Sequence, residues 1–223
     1  MKNPIFLAIS AILMVLIVQF TSNISVQYIK DELNFTKKTL IKIENFKNYI
    51  SSAINNKSLS PQDKFKAGKY LGPVENATED AINAINLYMT IIKKLSSALK
   101  INQDKIVGAI VILFALLTIF VQTLFTKRLL FLFLVAISII PLSFFIDYFI
   151  NQFYFNPQIK EYLKEIENFV IKGDSKTIID MFTTSTTQAV GALLGLSKTF
   201  IIKAAIDFLV VPLILIFILK KIF

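Results

Sequence analysis

The chain has 223 residues, 55% of them hydrophobic, a formal net charge of +9 and a mean hydropathy of +0.64, a balance outside the range of ordinary soluble domains. It contains no histidine, no cysteine and no tryptophan, and Arg128 is its only arginine. That removes the commonest general base, thiol chemistry, disulfides and the usual zinc ligands, so the residues point to no catalytic group, no metal centre and no cofactor. The positive charge comes from lysines scattered among acids, which excludes an arginine-led nucleic-acid surface and suits anionic lipid headgroups instead.

Four apolar blocks organise the chain: Pro4–Phe20, Ile106–Thr126, Leu129–Ile146 and Phe200–Leu219. Crossing a bilayer takes roughly 20 apolar residues at about 1.5 Å each. The blocks predict an all-α integral membrane protein with four transmembrane helices. Its segments are a first transmembrane helix over 1–23, an extracytoplasmic helical hairpin over 24–105, transmembrane helices 2 and 3 over 106–149, a second extracytoplasmic segment over 150–199, and a fourth transmembrane helix with a short cytoplasmic end over 200–223.

The first block follows Lys2, and Gln19-Phe20-Thr21-Ser22-Asn23 after it lacks a small-x-small cleavage pattern. An uncleaved anchor is the expectation; a cleaved signal is the alternative.

Between the first two blocks the apolar residues recur at helical spacing. Ile29, Leu33, Leu40, Ile43, Phe46 and Ile50 mark one helix, and Ile82, Ile85, Met89, Ile92, Leu95 and Leu99 mark another. Ser60-Pro61 with Asp63 reads as a helix start, and Gly72-Pro73 as the end of a short helix before a further one begins near Glu75. The two striped helices are expected to pair antiparallel and reach about 45 Å from the membrane over about 30 residues. A two-helix unit buries too little surface to offset its chain entropy, so Ile29, Leu33, Leu40, Ile43, Ile50, Ile82, Ile85, Met89, Ile92 and Leu99 are expected to face a partner or a second copy.

Lys127-Arg128 lie between the second and third blocks as a tight turn. With Lys2 and Lys220-Lys221 they put the positive residues of short connections on one side, so both termini and this turn are expected in the cytoplasm. The first outer segment carries 13 lysines against eight acids, but long segments cross largely regardless of charge. The lysine-, asparagine- and phenylalanine-rich composition suggests a bacterial source, hence an inner membrane.

After the third block, Tyr148, Phe149, Phe153, Tyr154 and Phe155 resemble an interfacial aromatic belt, and a helix is expected from Pro157 to Ile171, ended by Gly173-Asp174. The threonine-rich Thr183–Thr187 leads into Gly191-x-x-x-Gly195, a spacing that lets helices approach closely, either in packing against a neighbouring span or in a dimer. This piece is too short to span and is expected to be interfacial or re-entrant.

The polar residues near the apolar blocks are Asp147, Lys203 and Asp207. Lys203 precedes Asp207 by four residues and shares its helix face. They form a candidate intramembrane polar site with two readings: mutual neutralisation with the lysine snorkelling outward, or a cation or proton site. Pro141 and Pro212 are expected to kink their helices at similar depth.

Two functions follow. One is a non-enzymatic membrane subunit that anchors or scaffolds an envelope complex of secretion or transport type. The other is a small channel or transporter with its polar site between the third and fourth transmembrane helices. An enzyme is disfavoured by the missing residue types.

Overall fold

A computed structural model of the chain describes residues 4–55, 60–102, 105–121, 123–171 and 178–222. Its elements are helices: α1 (Pro4–Ile54), α2 (Pro61–Asn102), α3 (Lys105–Phe120), α4 (Leu124–Ile150), α5 (Asn156–Ile171), α6 (Ile178–Ala205) and α7 (Val211–Ile222). Two π-helical turns, Asn151–Phe155 and Ile206–Val210, join α4 to α5 and α6 to α7. No strand occurs among the described residues. Stretches within Ile5–Ile54, Phe125–Phe169 and Thr186–Lys221 are long and apolar enough to cross a membrane, whereas the apolar helix Val107–Phe120 is shorter.

Several boundaries differ from the sequence expectation. The helix that begins at Pro61 does not end at Gly72 but runs through Pro73 to Asn102. Its start is as expected: the Asp63 N–H donates to Ser60 Oγ at 3.2 Å, and the Ser60 hydroxyl donates to the Asp63 carboxylate at 2.7 Å. Continuation is possible because proline's steric conflict with the preceding residue falls on a Cβ, which Gly72 lacks. Burial of Leu71, Val74 and Ala77 on one face then favours helix over a break.

α3 ends at Phe120 and α4 begins at Leu124, ahead of Lys127-Arg128, which belong to the start of α4. Thr123 caps that helix, accepting from the Thr126 N–H at 3.2 Å, while the Thr126 hydroxyl donates to the Val121 carbonyl at 2.7 Å. The third apolar block does not stop near residue 149 either; winding continues through the first π-turn into α5. Nor does the last block begin at Phe200 as a separate element. The Gly191–Gly195 piece and that block share one helical run, whose apolar length starts at Thr186. The expected stop at Gly173-Asp174 lies outside the described residues, as does Lys2.

The chain divides into two compact units: Met1–Leu33 with Ile91–Ile150 and Ala204–Phe223, and Asn34–Thr90 with Asn151–Lys203. In the first, Ala11 and Val15 of α1, Val111 and Ala115 of α3, and Leu130, Leu134 and Ile137 of α4 make one buried cluster. Its alanines let the helices approach closely, as in lipid-embedded bundles. α7 packs on α4 with Val211, Leu215 and Leu219 buried at four-residue spacing. The outward side is apolar as well: Leu13, Ile17, Phe20, Leu132, Leu213 and Phe217 are all exposed, an inversion of the soluble pattern.

The second unit is a bundle of helical segments from α1, α2, α5 and α6. Lys42 pairs with Glu167 at 2.6 Å and Phe46 packs on Phe169 with centroids 5.7 Å apart, joining α1 to α5. Lys47 pairs with Glu79 at 2.7 Å, joining α1 to α2, and accepting that hydrogen bond on its carboxylate Glu79 holds the lysine above its ordinary range. Ser197 donates to the Asp80 carbonyl at 3.4 Å, joining α6 to α2.

The two units change the meaning of the apolar stripes, with Ile29, Leu33, Ile92 and Leu99 in the first and the rest in the second. Ile29, Leu40, Ile43, Ile50, Ile85, Ile92 and Leu99 are buried inside the protein, and Leu33, Ile82 and Met89 are half-buried. They are core, not a partner-facing surface. In the second unit the helices that the α1–α2 pair lacked are supplied by its own chain, as α5 and α6.

Candidate functional site

The chemistry of this chain lies in charged side chains that it buries. In the second unit Lys203, near the end of α6, has no solvent exposure. Its ammonium donates to the Asn151 side-chain oxygen and stands 4.6 Å from the Tyr88 ring centroid and 5.7 Å from that of Phe155. Tyr88, Phe155 and Asn151 are themselves buried, and Tyr88 packs on Phe200, one turn before Lys203, at 5.6 Å. A desolvated ammonium is stabilised by an amide oxygen and by the negative faces of aromatic rings. The lysine therefore does not snorkel to solvent.

In the first unit Asp147 and Asp207 are also buried, at 0% and 2% exposure. Asp147 follows Phe144 by three residues and Asp207 precedes Phe208, and those two rings pack edge to face at 6.5 Å. Tyr28 of α1 covers the same end of α4, 6.3 Å from Phe144 and 5.9 Å from Tyr148. Glu32, at 2% exposure, is a third buried carboxyl of this unit. Sequence reasoning missed Glu32, although it falls between Ile29 and Leu33 on a stripe that is otherwise apolar. Tyr88 and Asn151 were missed as well. Tyr88 stood in plain sight between Ile85 and Ile92, whereas Asn151 looked like part of the aromatic belt.

Of the two prolines, Pro212 follows the end of the π-turn Ile206–Val210 by two residues, and Pro157 stands in the same relation to Asn151–Phe155. A proline lacks the N–H that would bond the carbonyl four residues back, and its ring crowds that carbonyl. Here those carbonyls belong to Phe208 and Phe153, both within the widened turns, where an extra residue relieves the crowding. Pro141 lies inside α4, and its carbonyl accepts the Ser25 hydroxyl of α1 at 2.8 Å.

Within the single chain the two glycines do not act as a pair. A Cβ on Gly195 would stand 2.7 Å from the Tyr162 ring of α5, whereas Gly191 has nothing within 4 Å. Gly195 makes room for a ring, not for a second helix backbone. Among the described residues, no three His, Cys, Asp or Glu side chains are placed to share a metal ion. Comparison with known protein families, with curated proteins and with solved structures finds no match to this chain.

Proposed function

We propose that this chain is a non-enzymatic integral membrane subunit that anchors or scaffolds an envelope complex through helix–helix contacts. It crosses the inner membrane of a bacterium four times, with both termini in the cytoplasm. The crossings are the start of α1, then α3, α4 and the apolar run that begins at Phe200 near the end of α6 and continues through the second π-turn and α7; α3, at 16 residues and about 24 Å, is accommodated by local thinning of the bilayer.

The observation that supports this reading is the composition of the second unit. Its two stretches, 34–90 and 151–203, fall in the outer segments delimited by the apolar blocks except for residues 200–203, which open the fourth block, and together they make one body. With the stripes buried, the surface left for another subunit includes the exposed Ile41, Phe65 and Leu87. The native chain has no cysteine, so a photo-crosslinker on a cysteine at exposed Gln62 reports on neighbours in intact membranes. A specific protein adduct is the expected result. A well-expressed protein without adducts at Gln62 and Leu87 would sink the scaffold reading.

The buried Asp147 and Asp207 favour a second reading, a small channel or transporter, because carboxyls inside a membrane-suited bundle are costly and default to function. Asp207→Asn separates the two. Lost assembly with poor insertion supports the scaffold; lost flux in a protein that inserts normally supports transport.

A further inference from the structure

Between α1 and α4 of the first unit lies a cavity of about 410 Å³ lined by Asn23, Ile24, Gln27, Tyr28, Asp31 and Tyr148. We infer that it holds the ethanolamine headgroup of one phospholipid, with the acyl chains lying along α1. This rests on the reading of the first unit as membrane-embedded.

The argument begins with the face of α1. Leu13, Ile17, Phe20, Ile24, Gln27 and Asp31 follow one another at steps of four and three, so they line one side of the helix. Leu13, Ile17 and Phe20 are 54%, 49% and 69% exposed, and the side turns polar abruptly between Ile24 and Gln27. The apolar part, Leu13 to Ile24, is about 16 Å long, close to the roughly 15 Å depth of one leaflet of a bilayer core. An acyl chain fits the lower part of this side, and the headgroup then falls beside Gln27 and Asp31.

The chemistry of the cavity selects the headgroup. Among the described residues Asp31 is the only charged one in its lining, so an anionic headgroup is disfavoured and a cation is preferred. The Gln27 amide donates to both oxygens of Asp31, at 3.1 and 3.2 Å, which fixes the carboxylate and leaves it further lone pairs. Tyr28 and Tyr148, edge to face at 5.9 Å, add aromatic surface of the kind that attracts cations. A primary ammonium donates up to three hydrogen bonds, which the carboxylate and the Gln27 carbonyl oxygen can accept. A choline headgroup has no such donors, so ethanolamine is favoured over choline.

The test uses the full chain, purified, delipidated in mild detergent and titrated with dioleoyl phosphatidylethanolamine, phosphatidylcholine or phosphatidylglycerol, with bound lipid counted by native mass spectrometry. One phosphatidylethanolamine should be retained with about tenfold preference over phosphatidylglycerol and a clear preference over phosphatidylcholine. Asp31→Asn should bring the preference to within about twofold, and Tyr148→Ala should weaken retention of phosphatidylethanolamine. Equal retention of the three lipids, or wild-type retention by Asp31→Asn, would overturn the assignment. Alkaline carbonate washing of native membranes separates the two levels. A chain that stays embedded yet shows no preference overturns the lipid site alone, whereas release into the supernatant overturns the bilayer reading together with it.

Discussion

Tyr162 lies across Gly195 so closely that a single added methyl at residue 195 would meet the ring at 2.7 Å. The ring is rigid, so Gly195→Ala must push α5 from α6 or rotate the tyrosine, at about 1–3 kcal/mol. Gly191, four residues earlier and exposed, has open space, so Gly191→Ala should stabilise the helix by about 0.5–1 kcal/mol. Unfolding of the full chain in mild detergent, followed by circular dichroism, gives both signs. A dimer built on the glycine pair would instead show the same loss for both, and a change in oligomeric state. Tyr162→Ala combined with Gly195→Ala should recover part of the Gly195→Ala loss.

Gly72 and Pro73 are coupled in the opposite sense. Pro73 is exposed, so Pro73→Ala restores a helical hydrogen bond without opening a cavity and should stabilise by about 2 kcal/mol. Gly72→Ala alone meets only open space beyond its own helix, but its new Cβ crowds the Pro73 ring and cancels the usual helical gain. The double variant should therefore exceed the sum of the singles by about 0.5–1 kcal/mol. Simple additivity in the same unfolding measurement would refute the explanation for why α2 runs through this dipeptide.

These residues also show where the sequence was legible. Period and hydropathy found the apolar blocks, the stripes and the Ser60 cap, because each depends on a local pattern. The stops expected at Gly72-Pro73 and beyond the third block fail because a proline signal is local while its penalty can be relieved elsewhere. A neighbouring glycine relieves it at Pro73, and π-turns do so ahead of Pro157 and Pro212. A stripe says that Ile43 and Ile85 are buried but not by what, and here the answer is the protein's own bundle. Burial of Glu32 and pairing of Lys203 with Asn151 depend on contacts far apart in sequence, which no spacing rule carries.

Ser25 tests how α1 is held to α4. Its hydroxyl is within 2.8 Å of two carbonyls, Thr21 on its own helix and Pro141 on α4, and its single proton can serve only one at a time. Ser25→Ala should cost about 1 kcal/mol. Ser25→Leu places a large side chain where exposure is 0% and should cost at least about 2 kcal/mol more. Equal effects of the two in thermal unfolding would mean that the helices are not closely apposed at this point.

Lys203 provides the sharpest energetic prediction. Because its ammonium stands 4.6 Å from the Tyr88 centroid with no exposure, the attraction is unscreened by solvent. Lys203→Met keeps most of the volume and removes the charge; Tyr88→Leu removes the ring face. Each single change should destabilise, and the double-mutant cycle should return a coupling of about 1–2 kcal/mol. Raising the salt concentration should leave that coupling unchanged, since buried charges are weakly screened. A coupling near zero would mean that Tyr88 only packs beside the lysine, and that the amide of Asn151 holds the ammonium without help from that ring.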